Sequence, residues 1–278
     1  MSALLKNLRR IGAAVCAASL SLVSTLDATT VTQDFGTQGE TPNTMPAGWQ
    51  VRYRNNTTDT GVLNTAAIID TIPGTSQMAL LLQRTTEVAS SNSSVLVSYT
   101  GTTGDIVNGQ VADFNAEFTL RAIQKGNSTS AGFLFRSASA NYSSGAGYYV
   151  GFALVSGTYL LGLWQNPVSH VDNGTLLASD PINGFADNVD YTLKIVAVGA
   201  NISASLWDGE TEVASISISD ANHLSAGYFG FRSAFGNNGA SVAFRNFELQ
   251  SVPEPSAAAL FLPAVSAFLL ARRRCSSR

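Results

Sequence analysis

The sequence predicts an all-β protein, built as a two-sheet antiparallel jelly-roll sandwich. Most of the chain between residues 29 and 251 alternates apolar and polar positions, and β-branched and aromatic side chains are frequent there. Clusters of Gly, Asn, Asp and Ser separate these stretches, and no run within these limits keeps a helical period. Charged residues make up only 13% of the chain, well below the ~25% typical of soluble domains, which disfavours a Lys/Glu-rich helical bundle.

The alternation predicts nine individual strands. In residues 191–197, for example, Tyr191, Leu193 and Ile195 occupy one face of the strand, and Thr192 and Lys194 occupy the other. Two tight hairpin turns are expected at residues 198–201 and 207–210, the second of type I′ because it contains an Asp-Gly pair. The nine strands are predicted at residues 114–122, 132–136, 148–154, 159–164, 191–198, 202–207, 213–219, 228–232 and 242–249.

The first 28 residues have the layout of a secretory signal peptide, which we expect to be a helix flanking the sandwich. A basic region with Lys6, Arg9 and Arg10 precedes an uncharged apolar stretch over residues 11–26. We expect cleavage after Ala28. Cys16 lies inside the apolar stretch without a lipoprotein pattern, so cleavage is predicted in preference to lipid attachment.

The last 27 residues, 252–278, combine three features. Pro253, Glu254 and Pro255 are followed by an uncharged apolar run over residues 257–271, and then by Arg272, Arg273 and Arg274. A helix of that length spans about 22 Å, short of the ~30 Å hydrocarbon core, so it can enter a bilayer as a transmembrane helix but makes a poor permanent anchor. The arginines should stay on the cytoplasmic side, which places residues 29–251 outside the cytoplasm.

This arrangement resembles the PEP-CTERM sorting signal of Gram-negative bacteria. The resemblance implies that the exported precursor is held in the inner membrane until an exosortase, its processing partner, removes the segment near Pro253, Glu254 and Pro255. It also implies a final location at the cell surface or in the extracellular matrix, commonly in association with exopolysaccharide. An ordinary single-pass tail anchor is the alternative.

Residues 29–251 are predicted to form one domain, without cysteine because Cys16 and Cys275 fall in the flanking segments. Removing the seven basic and two acidic residues of those segments from 16 and 19 leaves 9 basic and 17 acidic residues, a net charge of −8. Such a domain lacks the basic surplus of a nucleic-acid binder, so no nucleic-acid partner is expected.

Residues 131–138 and residues 226–234 have similar sequences, and this internal repeat predicts two equivalent strands of a double sheet. Phe135 and Phe231 should face the core, and Arg136 and Arg232 should emerge on the opposite face. Together with other motifs, these residues resemble the concanavalin A-like lectin/glucanase superfamily, nearest its laminin-G-like and 3-keto-disaccharide-hydrolase-like domains. The motifs are Asp34-Phe35, residues 46–49, 132–136, 191–195, 206–209 and 244–247. The resemblance implies a jelly roll whose concave face often binds carbohydrate.

No catalytic residue is predicted. The Glu-x-Asp-x-x-Glu run of the laminarinase-type relatives is absent, and the acids within residues 208–212 indicate a solvated hairpin. His170 and His223 are far apart in sequence and lack a zinc-ligand pattern, so no metal ligand set is predicted. A Ca²⁺ site remains as an alternative, because some laminin-G-like domains bind Ca²⁺ at a rim. Four aspartates share one apparent loop stretch: Asp172, Asp180, Asp187 and Asp190.

Sugar binding requires aromatic rings against the apolar face of a pyranose and polar side chains at its hydroxyls. The sequence offers five candidate residues for this role: Arg136, Tyr148, Tyr149, Trp164 and Arg232. We therefore expect a non-catalytic protein that contacts polysaccharide, with neutral glycans favoured by the acidic charge. A glycoside-acting hydrolase and a purely structural matrix protein are the alternatives.

Overall fold

The computed structural model describes residues 28–35, 45–54, 65–84, 93–124, 129–140, 146–167, 174–236 and 240–253. These residues form sixteen strands in two antiparallel sheets packed as a sandwich, so the predicted fold class is confirmed. The predicted signal helix and short C-terminal helix lie outside the described residues. Within the described ranges, no helix is both long and apolar enough to cross a membrane.

Each sheet contains eight strands. Sheet A has the order β14-β13-β12-β7-β16-β4-β3, with β1 also pairing with β16. Its strands are β1 Thr30–Gln33, β3 Thr65–Thr71, β4 Met78–Arg84, β7 Phe114–Gln124, β12 Asp190–Val198, β13 Asn201–Asp208, β14 Thr211–Ser219 and β16 Ser241–Ser251. Sheet B has the order β11-β10-β9-β8-β15-β5-β2, with β6 pairing with β15. Its strands are β2 Trp49–Arg54, β5 Ser93–Tyr99, β6 Gln110–Val111, β8 Thr129–Ser137, β9 Tyr148–Val155, β10 Thr158–Gln165, β11 Thr175–Pro181 and β15 Gly227–Phe235.

All nine strands predicted from the sequence are present. Strand β7 shows why, because its residues alternate strictly between buried and more exposed positions from Phe114 to Ala122. Seven strands were not predicted individually, namely β1 to β6 and Thr175–Pro181. In the last of these the prediction of one long loop stretch is wrong. Most of its side chains are exposed or half-buried, as is common at a sheet edge, so its sequence lacks the pattern of a half-buried strand.

The core between the sheets is dominated by aromatic rings. The internal repeat corresponds to β8 and β15, which are neighbouring antiparallel strands of sheet B with Phe133 directly opposite Phe231. The ring centroids of these two residues are 5.8 Å apart in an edge-to-face arrangement. Phe135 and Phe231 are fully buried in this core, which confirms the predicted direction of both side chains.

Both predicted hairpin turns are present, but the second differs in type. Asp208 pairs with Thr211, so Gly209 and Glu210 are the central residues of the turn. Gly209 has a φ of +57°, whereas Glu210 is not among the residues with positive φ. Glycine with positive φ at the first central position is the pattern of a type II′ turn, so the type I′ prediction is wrong.

Residues Thr29–Val252 form one compact unit. Its first and last residues lie side by side, because the Thr29 N–H donates to Ser251 Oγ at 2.8 Å and the Ser251 N–H donates to the Thr29 carbonyl at 2.8 Å. The segments before and after the unit therefore join it at the same place.

Candidate functional site

The outer surface of sheet A carries an open polar surface, which we call the polar face. Strand alternation creates it: Ile195 points into the core, and its neighbours Lys194 and Val196 point outward. The polar side chains of this face come from five adjacent strands, and each is exposed or half-buried. They are Asn115, Glu117, Lys194, Ser203, Ser205, Trp207, Ser215, Ser217, Glu248 and Gln250.

Strand register aligns these side chains in rows across the sheet. One row runs from Glu248 through Glu117, Lys194 and Ser205 to Ser215. Because neighbouring strands are ~4.8 Å apart, five strands give a row of about 19 Å. A parallel row contains Gln250, Asn115, Val196, Ser203 and Ser217. The face is therefore long enough for a short run of sugar units.

Trp207 is the half-buried aromatic residue of the polar face. Its Nε1–H donates to Ser205 Oγ at 2.8 Å, which fixes the indole along its own strand. Nζ of Lys194 lies 5.3 Å from the centre of the Trp207 ring and 3.5 Å from Glu117 Oε2. The ammonium group thus joins an aromatic ring to a carboxylate at the centre of the face.

Two shallow depressions adjoin on this face. One, of about 360 Å³, is lined by Glu117, Glu248 and Asn246, among others. The second, of about 400 Å³, is lined by the serines of β13 and β14. Lys194 and Val196 line both, so the depressions form one continuous surface. Their sizes fall in the lower part of the range for small-molecule sites.

Glu117 and Glu248 are direct register partners on β7 and β16. Sequence inspection missed this pair, because 131 positions separate the two residues and only sheet pairing brings them together. Both side chains are exposed. A general acid for glycoside hydrolysis normally needs an apolar surrounding to stay protonated, so the exposure favours hydrogen bonding to a ligand over catalysis.

Three of the five predicted sugar-binding residues come together on the side of sheet B that faces away from sheet A. The Arg232 guanidinium lies 4.9 Å from the centre of the Tyr149 ring, and the Tyr149 and Trp164 ring centroids are 5.7 Å apart. Next to them, three glycines are register partners in one row: Gly132, Gly151 and Gly162. The sequence thus correctly predicted that the side chains of Arg232 and Phe231 lie on opposite faces of β15.

These three side chains are not exposed to solvent. Tyr149, Trp164 and Arg232 are at most 2% exposed, and the two aromatic residues pack in one cluster with Leu96 and Leu134. Burial of large aromatic side chains stabilises the fold because it removes much apolar surface from water. Arg232 is buried with them because its guanidinium packs against the Tyr149 ring. Their role in ligand binding stays a prediction, and their burial gives it no support.

Arg136 lies elsewhere and has another function. It has a φ of +48° beside an irregularity in the β8–β15 pairing, so its side chain does not follow that of Arg232, and this part of the prediction is wrong. Its side chain is fully buried and binds three loops. It donates to the Ala112 carbonyl (2.7 Å), Asp113 Oδ1 (2.9 Å), the Gly199 carbonyl (2.8 Å) and the His223 carbonyl (3.3 Å).

Tyr148 is also fully buried, with its ring stacked on Phe135 at a centroid distance of 5.4 Å. Its hydroxyl donates a short hydrogen bond to Asp220 Oδ1 and accepts the His223 N–H at 3.3 Å. Burial, reinforced by the bond to Asp220, raises the pKa of Tyr148 to about 12, so the phenol stays protonated. Tyr148 therefore holds a loop in place and presents no surface to a sugar.

The three aspartates of the predicted cluster that the structure describes do not come together. Asp180 accepts the Ser215 N–H at 2.9 Å, and Asp190 binds Arg121 and Arg245 at 2.7 and 2.6 Å. Asp187 is exposed in the loop before β12, and Asp172 lies outside the described ranges. Across the part of the chain that the structure describes, no group of three His, Cys, Asp or Glu residues could hold a metal ion.

The predicted sorting residues fall almost entirely outside the described ranges. Pro253 is described and is partly exposed directly after Val252. Glu254, Pro255, Arg272, Arg273 and Arg274 are not described, and His170 is not described either. The sorting role of these residues stays a prediction.

No family model and no curated protein matches this chain. Several solved lectin structures have a similar fold. Peanut lectin, solved with a 9mer peptide, is 14% identical with a TM-score of 0.53, over 80% of this chain and 97% of that chain. A seed lectin of Lotus tetragonolobus is 13% identical with a TM-score of 0.51, over 81% and 100%. The exoplasmic/lumenal domain of VIP36 in its Ca²⁺/Man-bound form is 11% identical with a TM-score of 0.51, over 82% and 91%. The fold is therefore lectin-like, and the predicted concanavalin A-like jelly roll is confirmed.

Proposed function

We propose that this protein is a non-catalytic polysaccharide-binding protein of the cell surface or extracellular matrix, and that the polar face is its binding surface. One observation carries the proposal: hydrogen-bonding side chains cross five strands in register and lead to the ring of Trp207. The amides, hydroxyls and carboxylates suit sugar hydroxyls, and the indole suits the apolar face of a pyranose. The lectin-like fold of the structural neighbours supports the proposal by analogy only.

The shape and charge of the polar face favour a neutral polymer. The face is shallow and open, so a chain can pass along it without an end having to enter a pocket. Residues 29–251 carry a net charge of −8, which opposes the approach of polyanions. We therefore expect neutral glycans to bind better than acidic ones.

Binding of the purified protein to a panel of immobilised neutral and acidic polysaccharides tests this proposal. The Trp207→Ala variant should lose at least tenfold in affinity for any polysaccharide that the parent protein binds, because one stacking surface is removed. Val155→Ala is the matched control, since Val155 is exposed at a distant hairpin. Equal affinity of the two variants would place binding elsewhere, and no binding to any polysaccharide would favour the purely structural alternative.

The Glu117–Glu248 pair makes glycoside hydrolysis the second candidate function. Carboxylates of directly opposed strand residues can lie near the ~5 Å separation that retaining glycosidases use. Incubation of each bound polysaccharide with the protein, followed by measurement of new reducing ends, separates the two functions. We expect no release. Release that disappears in Glu117→Gln would establish the hydrolase instead.

Export and sorting complete the proposal. The signal-like residues 1–28 and the sorting-like residues 252–278 support passage through the inner membrane of a Gram-negative bacterium, with processing by an exosortase. Mass spectrometry of the mature protein from a host with such an enzyme should give a C-terminus near Pro253. Replacement of Glu254 by Ala should leave the unprocessed chain in the membrane, whereas Ser276→Ala should not.

A further inference from the structure

Both flanks of the folded unit leave it at one end of the sandwich, which we call the exit end. Besides the two hydrogen bonds that join Thr29 and Ser251, the Ser251 hydroxyl donates to Asp105 Oδ1 at 3.0 Å. The Val252 N–H then donates to the Asp113 carbonyl at 2.8 Å. Backbone hydrogen bonds therefore fix the chain as far as Val252.

The distance from this end to the apolar run is limited by chain length. The run begins at Ala257, five residues after Val252. A fully extended chain covers at most ~3.6 Å per residue, so the two positions cannot be more than about 18 Å apart. If residues 257–271 are inserted in a bilayer, as the proposed function requires, the exit end must lie close to the lipid surface.

The exit end carries exposed apolar side chains on three different loops. Val107 is 52% exposed between β5 and β6, Val198 is 37% exposed at the β12–β13 turn, and Leu224 is 45% exposed between β14 and β15. The strands run away from this end, so the polar face extends along the side of the sandwich and not across its tip.

Polar contacts hold these loops together, and one of the contacts is an ion pair. Arg136 binds the carbonyls of Gly199 and His223, which lie next to Val198 and Leu224, and it pairs with the Asp113 carboxylate. Asp105 accepts the Ser251 hydroxyl on the same end. The three apolar side chains are therefore presented by loops that take part in these contacts or adjoin them, and Asp113 among them is neutralised by an ion pair.

We infer that the exit end, through Val107, Val198 and Leu224, rests on the lipid bilayer while the C-terminal segment is inserted. The inference depends on the membrane insertion of that segment in the proposed function. In this position the strands stand away from the membrane, and the polar face stays open to polysaccharide. Removal of the segment would leave only three apolar side chains to hold the protein on the membrane, too little apolar area for stable binding, so processing would release it.

Depth-dependent quenching on vesicles tests this inference with the full chain. Cys16 and Cys275 are replaced by serine, and a single bimane-labelled cysteine is placed at Leu224→Cys or Val107→Cys. Val155→Cys is the matched control, because Val155 is 37% exposed at the end of β9 that lies about 23 Å from the exit end. The vesicles contain phosphatidylcholine and phosphatidylglycerol, with a headgroup-region spin-labelled lipid as the quencher.

The expected result is several-fold stronger quenching at positions 224 and 107 than at position 155. Co-flotation with the vesicles is measured on the same samples. A chain that floats but shows equal quenching at all three positions overturns the inference and leaves the membrane anchor intact. A chain that does not float overturns the anchor of the proposed function, and the inference with it.

Discussion

Nη2 of Arg136 donates a hydrogen bond to Oδ1 of Asp113 over 2.9 Å, and the arginine side chain in this pair is completely buried. The same Asp113 oxygen accepts the Gly199 N–H at 3.0 Å. Asp113 thus connects β8 of sheet B to the β6–β7 loop, which joins the two sheets, and to the β12–β13 turn of sheet A. The predicted ligand-binding arginine is a structural residue that joins the two sheets at the exit end.

Replacement of Arg136 by Met should lower the free energy of unfolding by about 3 kcal/mol, because it leaves the Asp113 carboxylate without its cation and three loop carbonyls without this donor. Urea denaturation followed by circular dichroism measures the change. Arg52→Met is the control, since Arg52 is exposed on β2, and it should change stability by less than about 0.5 kcal/mol. Similar losses in both variants would contradict a specific role for Arg136.

Gly132→Ala should destabilise the protein through a backbone clash. A Cβ at Gly132 would lie 2.5 Å from Gly151 Cα, and a Cβ at Gly151 would lie 2.7 Å from Gly132 Cα. Strands β8 and β9 must therefore separate, which costs about 2–3 kcal/mol in a packed sheet. Ser130→Ala, on the same strand, should be nearly neutral. A melting temperature of Gly132→Ala equal to that of the parent protein would show that the close approach is not required.

Asp190→Asn should destabilise the protein by about 1–2 kcal/mol at neutral pH, because Arg121 and Arg245 share this carboxylate and it is only partly shielded, at 36% exposure. Burial alone would raise the pKa of Asp190, but the bonds from the two arginines outweigh it and lower that pKa. A lowered carboxylate pKa stabilises the fold above its ordinary value of 3.8, and this contribution is lost as the pH falls through the folded-state pKa.

Urea titrations of the parent protein and of Asp190→Asn at pH 7 and pH 3 test this expectation. The difference in stability should shrink at pH 3. Asp208→Asn, in an exposed hairpin, is the control and should show no such difference. A gap between parent and Asp190→Asn that is equally large at both pH values would contradict the assigned role of the carboxylate.

The loop of residues 220–226 should become less stable as the pH falls below about 6.5. Burial lowers the pKa of His223, the nearby Asp220 carboxylate opposes this effect, and the Arg136 guanidinium adds to it. His223 therefore binds a proton less readily in the closed loop than in the open loop. The stability of the closed loop is greatest above the ordinary histidine pKa of 6.5, and it falls as the pH drops through that value.

Hydrogen exchange of this loop at pH 7.5 and pH 5, corrected for the intrinsic rate, measures the opening. In His223→Gln the amide can still donate to Asn166 Oδ1, which His223 Nε2 contacts at 2.9 Å. That variant should lose the pH dependence and keep the loop closed. A parent protein with equal protection at both pH values would exclude the mechanism.

The strands were predictable where one face of the sheet is buried and the other is exposed to solvent. In β7 and β12 the residue pattern itself reports this difference, as Lys194 and Ile195 illustrate. The edge strand Thr175–Pro181 has no buried face, so its sequence does not alternate between apolar and polar residues and could not be recognised as a strand. In β8 every residue is buried, and periodicity could not reveal that Tyr149 of β9 and Trp164 of β10 would be buried too.

The sequence alone determined the class of the fold, nine of its strands, the core position of Phe135 and Phe231, and the hairpin at Gly209, because these depend on local alternation and turn chemistry. Only the tertiary structure placed Glu117 beside Glu248, Lys194 over Trp207, and Arg136 among three loops. Such contacts depend on strand register between distant segments. A shift of one residue in that register would reverse the face of every side chain, and no local pattern in one strand specifies the side chains that lie across from it.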